Sequence, residues 1–157
     1  MYNILLKLSR NIFFYKKIKL SDSFETRILL MFIHFSILMI ITKKKGLKFN
    51  QKNYDFLFHC IENDLRELGF GDVTVNKKMK ELNKILYDIL LKIELNHDSN
   101  LFKINHSLIY KYFDNFKGEK SHFYGDFELY LLKFYNFCFE LPVENMVLRS
   151  TEFKINF

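Results

Sequence analysis

The stretch DLRELGFGDVTVNKKMKELNKIL, Asp64 to Leu86, holds two of the chain's five glycines, a single residue apart. One helical pattern stops there and a lysine-rich one begins at once. Upstream, Tyr54, Leu57, Phe58, Ile61, Leu65 and Leu68 recur at the spacing of one helix face. Downstream, Val75, Met79, Leu82, Leu86, Ile89 and Ile93 alternate steps of four and three and share one narrow face of a second helix. Gly69 follows Leu68 at the position after a helix C-cap, where left-handed backbone is wanted and glycine adopts it without penalty. In that geometry Phe70 folds back on Leu65, Gly71 allows a second bend, and Asp72 or Thr74 caps the next helix. The stretch therefore reads as the corner of a helical hairpin. A dinucleotide fingerprint is excluded: the full GxGxxG is missing and the glycines follow a helix rather than a strand.

The same periodicity extends outward. Phe24, Ile28, Met31, Phe35 and Leu38 mark a helix over Asp22–Thr42, with Asp22 or Ser21 as its N-cap. Its other faces are also apolar, so it is the expected central, most buried helix. Further helices are predicted from about Tyr2 to Tyr15, over Leu101–Phe116, and over Phe127–Leu141, where Pro142 ends the pattern; beyond Met146 no pattern is clear. With 157 residues, 49% of them hydrophobic, 18% aromatic and a single proline, the composition excludes intrinsic disorder and leaves little turn chemistry for a many-stranded sheet. The expectation is an all-α, single compact helical domain over residues 1–157 with about six main helices.

The most apolar run, Ile28 to Ile41, reaches roughly 21 Å as a helix, short of a ~30 Å hydrocarbon core, and reads as a buried helix. Lys7, Arg10, Lys16 and Lys17 interrupt the N-terminal apolar residues, and no small-residue cleavage site follows, so no signal peptide is expected. Cys60 and Cys138 both fall in apolar helical patterns and are expected to be reduced thiols of a cytoplasmic protein.

The formal charge of +6 reflects either compositional bias toward lysine or a field that favours anionic partners. Lys77, Lys80 and Lys84 lie opposite the Val75–Ile93 stripe, with Lys78 on its flank. Such a ridge is either an ordinary solvated face or a contact for an anionic partner. His34, His59, His97, His106 and His122 form no HExxH motif or zinc-finger spacing, and no nucleophile motif or spaced carboxylate pair stands out. No catalytic, cofactor or metal residue is therefore named. Arg27 and His34 lie seven apart on one flank of the most apolar helix, as a structural network or as groove-lining residues. Arg27 requires an acid, with Asp64 or Asp72 as candidates, or a place at an edge.

Taken together, these residues resemble a family. Phe14-Tyr15, Asp22, Glu25-Thr26-Arg27, His34, the run Asp64 to Asp72, Val75 and Lys77-Lys78-Met79-Lys80 occur in the order and spacing of the bacterial members of the ubiquinol–cytochrome c chaperone family. The run from Leu65 to Lys80 is the most specific part, and the resemblance covers roughly residues 10 to 95. The rest agrees in helical character and in a final apolar helix followed by Arg149. The chain departs from the family pattern at Thr26, where the family carries glycine, at Glu62-Asn63-Asp64, and at Leu86-Tyr87-Asp88-Ile89, where it carries FYGR.

The resemblance implies a non-catalytic assembly factor for respiratory complex III. Its client would be newly made cytochrome b. The implied setting is cytoplasmic and peripheral to the inner membrane, with the ribosome, an anionic membrane surface and a second assembly protein as further partners. The expected partner contacts are Arg66, Glu67, Gly69, Gly71, Asp72, Lys77, Lys78 and Lys80, with Arg27 and His34 supporting or lining a groove. Asp72 also has a structural reading, as the acid that pairs with Arg66 or Arg27 and fixes the hairpin angle. Two other classes remain open: a basic helical module that binds RNA or the ribosome, and a small enzyme with an unrecognised site.

Overall fold

In the computed structural model, which describes residues 1–95, 102–113, 116 and 123–155, the chain folds as helices around one aromatic-rich core. In chain order these are α1 (Tyr2–Ser9), α2 (Ile12–Lys16), α3 (Phe24–Lys44), α4 (Gln51–Glu67) and α5 (Asp72–Lys92). After a short hairpin of β1 (Ile93–Leu95) and β2 (Phe102–Ile104) come α6 (His106–Tyr112), α7 (Phe123–Glu140) and α8 (Val143–Arg149), then a 3₁₀ turn at Ser150–Glu152. The fold is the expected single helical domain, more finely divided than the periodicity alone suggests.

The central helix is α3. It packs against α1, α5, α7 and α8, and thirteen of its twenty-one residues are buried, on every side rather than along one stripe. At ~1.5 Å per residue it is about 31 Å long, so length no longer separates it from a membrane span. Burial does: 72% of its most apolar window already lies inside the domain. Its N-cap is Ser23, not Asp22 or Ser21, because the Ser23 hydroxyl accepts from the Thr26 amide at 3.1 Å. Asp22 is thereby left free to receive Arg27.

Two expected helices are interrupted, each for a local reason. The N-terminal pattern breaks at Arg10–Asn11, where Asn11 Oδ1 accepts from Phe13 N–H at 3.0 Å and starts α2 afresh. Leu101–Phe116 is not one helix. Phe102 and Ile104 alternate with the period of a strand, are both buried, and pair antiparallel with Leu95 and Ile93. Asn105 then caps α6, accepting from the Ser107 amide at 2.9 Å. The tail beyond Met146 turns back on the domain, and Phe153 meets the rings of Tyr130 and Phe134 at 5.4 and 5.5 Å.

Asp88 ties α5 to α6. It accepts from Lys111 Nζ at 2.7 Å and from the Tyr112 hydroxyl at 2.6 Å, with Lys92 Nζ at 2.9 Å from its other oxygen. Donors from Lys111 and Tyr112 hold the carboxyl well below the usual carboxylate range. That contribution is present at neutral pH and is lost as pH falls through the carboxylate range toward the depressed folded value. Replacing Asp88 by Ala should lower the melting temperature by about 3 °C, the scale of partly exposed ion pairs, by leaving Tyr112 and two cations without their acceptor. Thermal melts of the two proteins at pH 7 give the comparison, and equal midpoints would remove Asp88 from the stability of the α5–α6 contact.

Candidate partner-binding surfaces

The corner between α4 and α5 is closed by two backbone bonds. Gly69 N–H donates to the Arg66 carbonyl at 2.9 Å and Phe70 N–H to the Leu65 carbonyl at 3.2 Å, with Gly69 left-handed at φ +88°. A side chain on Gly69 would meet nothing within 4 Å, so the backbone conformation alone requires glycine there. Gly71 has the ordinary φ of −72° and serves as the N-cap of α5; the second bend does not need a glycine. Neither Asp72 nor Thr74 caps α5. The Asp72 carboxylate turns back onto the Arg66 guanidinium, which also holds Glu62 at 2.8 Å. Arg66 thus bridges the two helices, and Lys78 Nζ sits 4.9 Å above the Phe70 ring.

Two clefts flank the start of α3. The larger, about 440 Å³, lies between α1, α3 and α4 and is lined by Leu6, Ile28, Met31 and Leu68, with Arg10, Arg27 and Glu67 among its polar residues. On its wall the Tyr2 hydroxyl donates to Asp64. The smaller, about 190 Å³, is lined mainly by Leu29, Leu65, Leu82 and Ile85, with Glu25, Glu81 and Lys78 at its polar margin. Phe24 and Ile28 belong to both. The first turn of α3 is therefore a ridge with an apolar cleft on each side.

The named residues distribute unevenly over this geometry. Arg27 and Glu67 both line the larger cleft and Lys78 borders the smaller one. Arg66, Gly69, Gly71 and Asp72 build the corner, while Lys77 and Lys80 are exposed and line neither cleft. The acid that Arg27 requires is Asp22, at 2.7 Å, and neither Asp64 nor Asp72. Being five residues earlier and outside the helix, Asp22 can reach back over the first turn.

His34 lines no groove. It is fully buried: Nδ1–H donates to the Leu30 carbonyl at 2.7 Å, and Nε2 accepts from the Tyr130 hydroxyl at 3.1 Å. A carbonyl only accepts, which fixes the neutral Nδ1–H tautomer. Burial pushes its pKa down to about 4. The ring is clamped among Phe14, Tyr130 and Phe134, so it supports the wall of α3 from inside.

Tyr2, Leu6, Arg10 and Tyr112 contribute to the clefts although nothing in their local sequence marks them. Phe24 and Ile28 were legible only as core positions. His59 is exposed and bonded to Asn63 at 3.2 Å, Cys60 and Cys138 are both free thiols, and His97 and His122 lie outside the described residues. Ile89, where the resembled pattern carries arginine, is buried in the core.

A family profile described as "Ubiquinol-cytochrome C chaperone" matches residues 16–116, well over half of the chain. The match reaches further toward the C-terminus than the quoted motifs and leaves Phe14-Tyr15 outside it. No curated protein and no solved structure matches the chain.

Proposed function

The chain belongs to the ubiquinol–cytochrome c chaperone family, and from that premise we propose that it is a non-catalytic assembly factor that holds newly made cytochrome b during assembly of complex III. The family supports a chaperone role toward a component of ubiquinol–cytochrome c reductase. The observation that carries the client site is the pair of apolar clefts meeting at Phe24 and Ile28. An apolar client segment laid across this ridge buries side chains on both sides of it, the mode in which a helix lies in a groove. Arg27 and Glu67 border that path, and His34 keeps the wall in place.

The corner and lysine residues, Arg66, Glu67, Gly69, Gly71, Asp72, Lys77, Lys78 and Lys80, form a second contact region beside the clefts. In this reading they face the anionic surroundings of assembly: the ribosome, the surface of the inner membrane, or a second assembly protein. The chain then works on the cytoplasmic side, held peripherally at that membrane.

A photo-crosslinking residue at position 24 tests the client site directly in native cells. Crosslinks to cytochrome b are expected from position 24 and not from Leu129 on the exposed side of α7. Phe24→Ala should reduce recovery of cytochrome b by about tenfold or more, the loss typical of a buried aromatic anchor, without unfolding the protein. Crosslinks from position 24 that contain no subunit of the reductase would sink this reading.

A further inference from the structure

We propose that the outward face of α5 is a docking seam for an acidic amphipathic helix of another protein. Val73, Lys77, Lys80, Lys84, Tyr87 and Leu91 step along α5 by four, three, four, three and four. At about 100° per residue they fall within an arc of about 80°, diametrically opposite the buried Val75, Leu86 and Ile89. Val73 is 86% exposed, Leu91 81% and Tyr87 58%, and the three lysines are exposed as well. Among the described residues none of these lysines has a carboxylate partner, although Glu81 sits on the same helix.

Packing within this fold gives no reason for Val73 and Leu91 on the side of α5 away from the core, whereas the Tyr87 hydroxyl lies beside that of Tyr54 on α4. The alternation of steps is the seam period of paired helices, in which such a row meets one partner helix along its length. From Val73 to Leu91 the row spans about 27 Å. Its apolar residues stand at the ends and its charge in the middle. The complementary helix carries acidic residues over two central turns and apolar residues at both ends.

That distribution also decides against the other anionic partners. A bilayer is entered by a continuous apolar band, and here three lysines occupy the middle of the row. Nucleic acid needs charge but offers nothing to Val73 and Leu91 at the ends. The seam deepens the reading of Lys77 and Lys80 as partner contacts, on which it rests, and replaces Lys78, which is engaged with Phe70, by Lys84.

The test uses the full chain and a synthetic helical peptide of roughly 20 residues, leucine at its ends and glutamate at the three central seam positions. A second peptide has lysine in place of the glutamates. Fluorescence anisotropy should show the glutamate peptide binding at least about tenfold more tightly than the lysine peptide, with affinity falling as salt rises. The variant K77E/K80E/K84E should reverse the preference, and V73S/L91S should weaken binding of the glutamate peptide at unchanged salt dependence. Circular dichroism melts confirm that both variants remain folded.

Equal binding of the two peptides would overturn the seam, as would V73S/L91S binding like the parent chain. So would lysine-dependent binding of phosphatidylglycerol vesicles or of a single-stranded RNA with no binding of the glutamate peptide. Crosslinking of cytochrome b at position 24 is read separately, so loss of the seam and loss of the client reading are distinct results.

Discussion

Lowering the pH from 7 to 4 should cost the folded state about 3 kcal/mol through His34 alone, given its depressed pKa of about 4 against an ordinary 6.5. The sign follows from which state binds the proton. Above pH 6.5 the ring is neutral whether folded or unfolded. Between 6.5 and 4 the unfolded chain takes up a proton that the folded chain refuses, so stability falls as pH falls through that window. Refusal has a structural cause: both ring nitrogens are committed, one to the Leu30 carbonyl and one to the Tyr130 hydroxyl, in a fully buried site where no carboxylate among the described residues pairs with the ring. Urea denaturation of the parent and of His34→Gln across pH 7 to 4.5 isolates this contribution, since glutamine does not titrate. The two stability curves should converge as pH falls. Curves that stay parallel would mean the buried ring is protonated or accessible in the folded protein.

The second large effect belongs to the hairpin corner. Gly69→Val should destabilise the protein by about 2 kcal/mol, or about 6 °C in melting temperature, because a β-branched residue is forced to hold φ near +88°. Open space around the position rules out a clash as the cause. Gly69→Asn should cost roughly half as much, since asparagine tolerates left-handed backbone better than valine. Gly71→Ser should melt no lower than the parent, because that position has ordinary backbone and a serine there gains the cap hydrogen bond glycine lacks. If Gly69→Val and Gly71→Ser melted together, the left-handed closure would not be what holds the corner.

These two sites mark how far the sequence could be read. Gly69 was legible because its chemistry is local: a stripe ends at Leu68, a glycine follows, and the closing bonds are made within six residues. The stripe of α5 was legible for the same reason, and Val75, Leu86 and Ile89 are buried as its period requires. His34 was legible only as a polar residue on an apolar helix, because its partner Tyr130 lies 96 residues away. Arg27 shows the opposite failure. A nearby acid was passed over for distant ones, since helix spacing alone does not reveal that Ser23 caps α3 and leaves Asp22 outside it.

The clefts were beyond reach for a related reason. They are properties of how α1, α4 and α5 diverge from α3, and Phe24 carries the same apolar signal whether it fills a core or stands between two openings. The break at Asn11 and the strand at Phe102–Ile104 were encoded locally, in a capping asparagine and a two-residue alternation. Each was overridden in reading by a longer helical pattern around it.

The burial of α3 has a consequence for the order of synthesis. The helix that α7 covers leaves the ribosome long before α7 exists. At about 5–20 residues per second, the 96 residues between His34 and Tyr130 represent about 5 to 20 seconds. Throughout that interval a helix long and apolar enough to span a bilayer stands without the partner that later seals it. A protein in a family named for chaperoning thus passes through a stage in which its own central helix has the character of a client. The race between completion of α7 and recognition of α3 as a membrane segment is set by the spacing of the two along the chain.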